Sequence, residues 1–195
     1  MSISQSLSDV IRREMAPIMP IGSGELQALE DHYRLILKWN PKMNLTTVTK
    51  VEEAAIRHYC ESLFLAVQVR DGSVVDVGSG PGFPGIPLAV VSPACGVALV
   101  ESHQRKAVFL REAVRDLPNA RVISERAESL TGRYDWLVSR AVDPGSLMKL
   151  RIAGRYALLL GADDALQLGS EQIVPLPWGD RRVLAIGAYS DSCST

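Results

Sequence analysis

The sequence predicts an α/β protein whose core is a doubly wound, mostly parallel sheet, preceded by a cap of helices. From residue 74 onward, short segments that are apolar at almost every position alternate with segments of helical periodicity. Strands of that kind belong to parallel sheets that are covered by helices on both faces. The first seventy residues carry helical patterns alone, and Asp71-Gly72 marks a turn between the two regions. We therefore expect residues 1–70 to form a helical extension packed on the core, and residues 71–195 to form that core.

Composition limits the class of protein. The 195 residues are 47% hydrophobic and 22% charged, which is typical of a globular domain rather than a disordered chain. The net charge of −1 supplies no overall positive field for nucleic acid, so charge alone favours an enzyme acting on small molecules. Cys60, Cys95 and Cys193 are far apart, which argues against a disulfide framework or a zinc site, and we expect no metal.

Targeting signals are missing from the sequence. The N-terminal segment has no basic start followed by an apolar core, and no segment reaches the roughly 18 apolar residues that cross a bilayer. Together with the isolated cysteines, these absences predict a soluble protein of the reducing cytoplasm with no membrane partner.

The extension contains an amphipathic helix with charged residues on its outer face. We expect it to end at Asn40-Pro41, because the residue before a proline is pushed out of the α region. A further helical stretch is predicted from about residue 51 to residue 69. The apolar face of the amphipathic helix consists of Leu26, Leu29, Tyr33, Ile36 and Leu37, and the residues turned away from it include Glu30, Asp31 and Arg34.

The core alternates strands with helices. The helix predicted over residues 106–117 carries Arg111 and Arg115 on the face opposite its apolar side chains. A shorter helix is predicted over residues 86–91. Strands are predicted at residues 74–77, 97–100, 121–124, 136–138, 156–160 and 183–186.

A glycine-rich loop follows the first strand, in the segment VVDVGSGPGFPG over residues 74–85. Gly78, Gly80 and Gly82 allow positive φ and close contact with a ligand, although a tight turn without a ligand would also use them. A dinucleotide site would need glycine at position 83, where the chain has Phe83, so a nicotinamide-dependent oxidoreductase is disfavoured. The alternative pattern, D-x-G-x-G-x-G, resembles the first motif of class I S-adenosylmethionine methyltransferases, with Asp76 as the acid that orients the loop.

Two acids follow the next strands. Glu101 ends the second strand, 21 residues after Gly80, where a carboxylate can accept hydrogen bonds from both hydroxyls of a ribose. An oxidoreductase would place an acid there too, and a solvated acid is the plain alternative. Glu128, after the third strand, falls where an adenine amino group would lie. The fourth strand continues as WLVSRAVDP, without the N/D-P-P-Y sequence or the cysteine nucleophile of other methyltransferase classes.

Six segments in order carry a close resemblance to a known family. They are KWNPKMNLTTVT, RHYCESL, VVDVGSGPGFPGIPLA, VESHQRKAVFL, ERAES and VSRAV, between about Lys38 and Val142. The chain resembles the glucose-inhibited division protein B family, the bacterial 16S rRNA guanine-N7 methyltransferase G family. The resemblance implies an S-adenosylmethionine-dependent enzyme that methylates N7 of a guanine in the decoding-region hairpin of small-subunit rRNA, either as RNA or within a ribosomal particle.

The resemblance also assigns residues. The implied cofactor-binding residues are Gly78, Gly80, Phe83, Glu101, Ala127, Glu128 and Arg140. Guanine N7 has a lone pair and no proton, so methyl transfer needs no general base, and no catalytic residue is assigned. Candidate RNA contacts are Lys38, Lys42, Arg57, His58, Arg105 and Lys106, each of which could instead be a solvated charge, and His58 a helix cap or part of a polar core.

Three departures from the family concern the substrate more than the cofactor. Glu61 stands where the family commonly has aspartate, Leu160-Gly161 replaces a Lys-Gly pair, and the segment between Arg140 and Tyr156 is shorter than usual. A small-molecule methyltransferase and a non-catalytic RNA-binding relative therefore stay open as alternatives.

Overall fold

The computed structural model describes residues 6–179 and 181–189. Its N-terminal part is helical, and Ser6 caps the first helix by accepting a hydrogen bond from the Asp9 backbone N–H at 3.1 Å. The helices are α1 (Leu7–Met15), α2 (Ser23–Met43), α3 (Val51–Ala54), a π-helical segment (Ala55–Cys60) and α4 (Glu61–Ala66). None of the helices within the described residues is long and apolar enough to span a membrane.

The end of α2 differs from the prediction. Helix α2 passes through Pro41 and ends at Met43, with Asn44 in the left-handed conformation at its C-cap. Pro41 lies in the last turn, where its missing N–H costs a single intrahelical bond. The Asn40 side chain donates to the Thr46 carbonyl at 2.9 Å and accepts from the Thr46 N–H at 3.0 Å. These two bonds hold the last turn in place, so the helix extends beyond the proline.

The buried face of α2 also differs at one position. Leu37, which we placed on the apolar face, is 39% exposed, whereas His32 is buried. The face of α2 that packs against the neighbouring helices is narrower than the predicted face of five apolar residues. A histidine that finds hydrogen-bond partners can therefore occupy a buried position on that stripe.

The core is a seven-stranded sheet in the order β3-β2-β1-β4-β5-β7-β6. Strands β1 to β5 are parallel, and β7 runs antiparallel to both β5 and β6. The predicted mostly parallel α/β sheet is therefore confirmed. The strands are β1 (Gly72–Val77), β2 (Cys95–Val100), β3 (Ala120–Ile123), β4 (Tyr134–Arg140), β5 (Ala153–Gly161), β6 (Gln172–Pro175) and β7 (Arg182–Ala188).

Helices cover the sheet on both faces. One apolar layer holds Val74 and Val138 with residues of α1 and α2, and the other holds Val75 and Leu137. Alternate residues of each strand thus enter opposite layers, as the pleat requires. The helices between the strands are α5 (Gly85–Val91), α6 (Gln104–Ala113), α7 (Pro144–Leu150) and α8 (Ala162–Leu168), with a 3-10 turn at Ala127–Ser129.

Helix α6 is shorter than predicted. It ends at Ala113, and the chain continues through tight turns in which the Arg115 N–H bonds to the Glu112 carbonyl and the Leu117 N–H to that of Val114. Pro118 excludes the residue before it from the helical region, so the turns close there. The apolar pattern continues to Leu117 because side chains after the end of α6 are still buried.

Candidate active site

The glycine loop connects β1 to α5 at the carboxyl edge of the parallel strands. Gly78, Gly80 and Gly82 all have positive φ, at 73°, 55° and 103°. A Cβ at Gly78 would lie 2.6 Å from a methyl carbon of Val142, and one at Gly82 would lie 2.4 Å from Ile86 Cδ1. A Cβ at Gly80 would meet no heavy atom of the described residues nearer than the Gly78 carbonyl oxygen, 3.9 Å away, so this position is uncrowded.

Asp76 ties the end of β1 to the start of α5. Its carboxylate is fully buried, and Oδ2 accepts a hydrogen bond from the Gly85 N–H at 3.0 Å. Oδ1 is buried and has no hydrogen-bond partner among the described residues. Burial raises the pKa of Asp76 to about 7, and the nearby Glu101 carboxylate acts in the same direction. Asp76 therefore holds the loop from beneath rather than facing a ligand in solvent.

Glu101 joins the strand beside β1 to the same loop. It follows β2 directly and is 8% exposed. Oε2 accepts from the Gly80 N–H at 3.2 Å, and Oε1 accepts from the His103 N–H at 2.7 Å. Each carboxylate oxygen can accept more than one hydrogen bond, so Glu101 retains the capacity to bind hydroxyl groups.

The remaining residues assigned to the cofactor lie along this edge, except the side chain of Phe83. Ala127 and Glu128 form the 3-10 turn after β3, and Glu128 is exposed. Arg140 ends β4 on the other side of β1. The Phe83 ring is buried and stacks on the His58 ring at a centroid distance of 4.7 Å, so it points into the helical layer.

His58 and Arg140 form a fixed pair beneath the loop. Arg140 donates through Nη2 to His58 Nδ1 at 2.8 Å and through Nη1 to the Arg57 carbonyl. Because a guanidinium only donates, Nδ1 is the acceptor, so His58 Nε2 carries the proton and bonds Thr46 Oγ1 at 2.9 Å. Burial, followed by the positive charge of Arg140, lowers the pKa of His58 to about 3.

The structure does not place His58 where we expected it among the RNA contacts. Its ring is 4% exposed and both nitrogens have protein partners. His58 is therefore part of a satisfied polar core, which was the alternative reading of this residue.

His32 is a residue that the sequence analysis missed. Its Nε2 lies 2.9 Å from the Pro81 carbonyl oxygen, and Nδ1 lies 3.1 Å from the Tyr59 hydroxyl. Burial lowers the pKa of His32 to about 4, so the ring is neutral and donates to Pro81. His32 thus ties the glycine loop to α2. The available signal was a lone histidine between the apolar positions Leu29 and Ile36 of one helix face.

The candidate RNA contacts form two separate groups. Lys38 and Lys42 are exposed near the end of α2, and Arg105 of α6 donates to the Lys42 carbonyl at 3.1 Å. Lys106 follows Arg105 on α6 and is half-buried. Arg57 is exposed near Arg140, and its guanidinium lies 3.3 Å from the Glu53 carboxylate.

A cavity of about 560 Å³ opens beside Arg140. Glu61 lines it, is 5% exposed, and pairs with Arg182 through a 2.7 Å contact between Oε2 and Nη2. Glu61 was expected as a departure from its family, but no sequence pattern indicates its partner Arg182. The lining residues are Val48, Arg57, Glu61, Arg140, Ala141, Trp178, Gly179 and Arg182.

Leu160 is the second departure, and its position on β5 explains why an apolar residue is accepted. It lies opposite Val183 of β7 and is 5% exposed, within the second apolar layer. Helix α7, in the shortened segment between Arg140 and Tyr156, has seven residues.

The fold and the loop define a class I methyltransferase, and solved structures agree. An S-adenosylmethionine-dependent methyltransferase from Aquifex aeolicus superposes with a TM-score of 0.52 over 66% of this chain and 89% of that one, at 15% identity. A ribosomal protein L11 methylase from Lactobacillus delbrueckii gives 0.51 over 67% and 80%, at 17% identity. Identities this low demonstrate a shared fold alone.

Sequence comparison identifies the family. The family model described as GidB, rRNA small subunit methyltransferase G, matches residues 25–153, and the chain belongs to that family. A relative named ribosomal RNA small subunit methyltransferase G from Stenotrophomonas maltophilia is 50% identical over 113 residues, 56% of this chain and 53% of that protein. The same-named protein of Xanthomonas axonopodis is 41% identical over 152 residues, 74% and 71% of the two chains. The resemblance predicted from the sequence is confirmed, although the match spans about half the length of the Stenotrophomonas relative.

Proposed function

We propose that this protein transfers a methyl group from S-adenosylmethionine to N7 of a guanine in 16S rRNA. The observation that carries the proposal is the uncrowded glycine loop at Gly80, whose backbone N–H donates to the Glu101 carboxylate, in a chain of the GidB family. Ligands of open α/β sheets bind at this edge, where parallel strands end. The cytoplasm, where rRNA is made and modified, is the location that this function requires.

The residues at the edge suit this cofactor. Glu101 would accept hydrogen bonds from the ribose hydroxyls, and the backbone at Gly78 and Gly80 would lie against the methionine portion. Ala127 and Glu128 would border the adenine, and Phe83 would contribute through its backbone because its ring is turned away. When bound, S-adenosylmethionine supplies a methyl group on a positively charged sulfur.

The chemistry requires positioning rather than proton removal. Guanine N7 is unprotonated at neutral pH, so alignment of N7 with the methyl group is the main demand on the protein. His32 and His58 are buried, neutral and hydrogen-bonded to protein groups, so neither is free to act as a base. Arg140, held by His58 and the Arg57 carbonyl, would act as a fixed cation beside the reacting groups.

We also propose a division of labour between residues 1–70 and residues 71–195. The helical extension supplies Lys38, Lys42 and Arg57 to the surface, whereas the core supplies the glycine loop and Glu101. RNA held by the extension would be delivered to the carboxyl edge of the sheet. Whether the substrate is free rRNA or a small-subunit particle is decided by the experiment below.

The test is methyl transfer with a labelled cofactor. The protein is incubated with S-adenosylmethionine carrying a labelled methyl group and with small-subunit rRNA, alone and in ribosomal particles, from cells lacking the modification. Label recovered as 7-methylguanosine supports the proposal and identifies the form of the substrate. RNA binding without transfer would indicate a non-catalytic relative, and transfer only to small molecules would indicate the other alternative.

A further inference from the structure

The cavity beside Arg140 lies next to the proposed cofactor edge. Arg140 and Ala141 line this cavity at the end of β4, the strand that pairs with β1. Val142 follows at once and packs so closely on the glycine loop that a Cβ at Gly78 would lie 2.6 Å from it. A volume of about 560 Å³ falls within the range of small-ligand sites. The cavity therefore lies next to the residue that packs on the glycine loop at Gly78.

The cavity combines one buried carboxylate with three arginines. Glu61 pairs with Arg182, while Arg57 and Arg140 line the same space. A buried charge is tolerated when it is paired, and Arg182 supplies the opposite charge to Glu61 inside the wall. The 2.7 Å contact uses a single oxygen of Glu61, so the carboxylate can accept further hydrogen bonds from a ligand.

Trp178 supplies an aromatic wall. Its Nε1–H donates to Glu14 Oε2 at 2.8 Å, and the Phe64 ring packs edge-on against it at a centroid distance of 6.1 Å. The indole Nε1–H is thus occupied by its bond to α1, and the ring lines the cavity in one fixed orientation. Fixed aromatic rings are the usual stacking platforms for unpaired bases.

We propose that this cavity is the acceptor-base site, in which an unstacked guanine lies against Trp178 and its N1–H and N2–H groups donate to Glu61. The proposal rests on the function proposed above and names the residues that select the base. N7 lies on the opposite edge of the purine from N1 and N2, so binding at Glu61 turns N7 away from that carboxylate. Adenine would present an acceptor nitrogen to the carboxylate and be rejected.

Two of the selecting residues lie outside the part of the chain that defines the family. The family model ends at residue 153, whereas Trp178 and Arg182 come from the β6–β7 loop and the start of β7. Glu61 lies within the matched region.

The test changes the base and the carboxylate, first separately and then together. Inosine replaces the acceptor guanine in a synthetic rRNA hairpin, which deletes only the N2 amino group. The protein variant combines Glu61→Leu with Arg182→Met, so that neither partner of this ion pair is left without the other. We expect inosine to lower kcat/KM of the unmodified protein by about tenfold, as for one hydrogen bond to a charged group. With the guanine hairpin, kcat/KM of the double variant should fall by at least the same factor. Replacing guanine by inosine should then lower kcat/KM of the double variant by less than a further twofold.

Controls separate base selection from folding and cofactor binding. Cofactor affinity and melting temperature should be unchanged, and Glu61→Asp should retain the guanine preference. Glu112→Leu, in a separate cavity of about 410 Å³, should keep the tenfold inosine effect. Trp178→Ala should weaken binding of the hairpin about tenfold or more, and Trp178→Phe much less, because stacking survives.

The outcomes distinguish this proposal from the function on which it rests. An equal inosine effect in the unmodified protein and the double variant would overturn the acceptor-base site while leaving methyl transfer intact. If neither RNA is methylated although the cofactor binds, the proposed function fails. Equilibrium binding of the two hairpins then decides the site, since equal affinities for guanine and inosine in the unmodified protein would refute it.

Discussion

At the residue scale, Gly80 and Gly82 of the glycine loop have different roles. Gly82 lies against Ile86, so its small size is required for packing, whereas a Cβ at Gly80 would make only an ordinary contact at 3.9 Å. The sequence pattern could not separate them because both fit the same motif. The distinction depends on which neighbours the fold brings to each Cα.

Alanine substitutions should separate these two roles. Gly80→Ala should weaken binding of S-adenosylhomocysteine with a stability loss of about 1–2 kcal/mol, the strain of a non-glycine residue at positive φ. Gly82→Ala should destabilise the fold by more, because the new Cβ would lie 2.4 Å from Ile86 Cδ1. Calorimetric titration and urea unfolding would test this, and equal effects of the two variants on binding would contradict it.

The Glu101 carboxylate gives a second prediction at this scale. Glu101→Gln should weaken S-adenosylhomocysteine binding about tenfold to a hundredfold, because hydrogen bonds to a charged acceptor are lost. Glu112→Gln, on α6 in the separate cavity, is the matched control and should bind normally. Normal affinity in Glu101→Gln would place the ribose elsewhere.

The buried histidines predict a dependence of stability on pH. His58 has a folded pKa of about 3 and ordinarily titrates near 6.5, so the unfolded state binds the extra proton first. Its contribution is therefore complete above pH 6.5 and is lost as pH falls, by up to about 2 kcal/mol at pH 5. Asp76, with a raised pKa of about 7, acts in the opposite direction, so the comparison must be between variants.

We expect His58→Gln to flatten the fall in stability between pH 7 and pH 5. Urea unfolding at both values should show a smaller loss in this variant than in the unmodified protein. The same loss in both proteins would mean that His58 is not the titrating group.

At the element scale, the sequence predicted the elements that have strong patterns. Most residues of the central strands are apolar, so the positions of these strands were found to within a few residues. Strand β6 was missed because its four residues are half-exposed or exposed and include Pro175. The end of α2 was misplaced because side-chain bonds from Asn40 outweighed the effect of Pro41.

That explanation makes Asn40 the determinant of the last turn of α2. Asn40→Ala should lower the free energy of unfolding by about 1–3 kcal/mol, since two hydrogen bonds to Thr46 are lost. Pro41→Ala should be close to neutral, because the helix already passes through that position. Urea unfolding of both variants tests the assignment, and a larger loss for Pro41→Ala would reverse it.

At the scale of the whole molecule, the sequence located the residues near the cofactor edge but not those that connect the chain's distant parts. The glycine loop, Glu101 and Arg140 follow strands whose order could be anticipated. The contacts of His32 with Pro81, Glu61 with Arg182 and Trp178 with Glu14 join residues far apart in sequence. Their partners are set by how the extension and the last strands fold back on the core, which no local pattern specifies.

The arrangement of positive charge on the whole molecule determines where RNA should bind. Although the net charge is −1, Lys38, Lys42 and Arg105 are grouped where α2 meets α6. We expect Lys42→Ala to weaken rRNA binding and to reduce the salt dependence of log K by about 0.7–0.9 if one phosphate contact is lost. Cofactor affinity should not change.

A matched control makes that prediction specific to location rather than to total charge. Lys149→Ala removes an equal charge from α7, in the layer on the other side of the sheet, and should leave the salt dependence unchanged. Filter binding at several salt concentrations gives both slopes. Equal changes in the two variants would mean that RNA responds to overall charge, and the grouping of Lys38, Lys42 and Arg105 would then have no role in placing the substrate. Loss of slope in Lys42→Ala alone would orient the rRNA across α2 and α6, so that it reaches the edge of the sheet from the side of the helical extension.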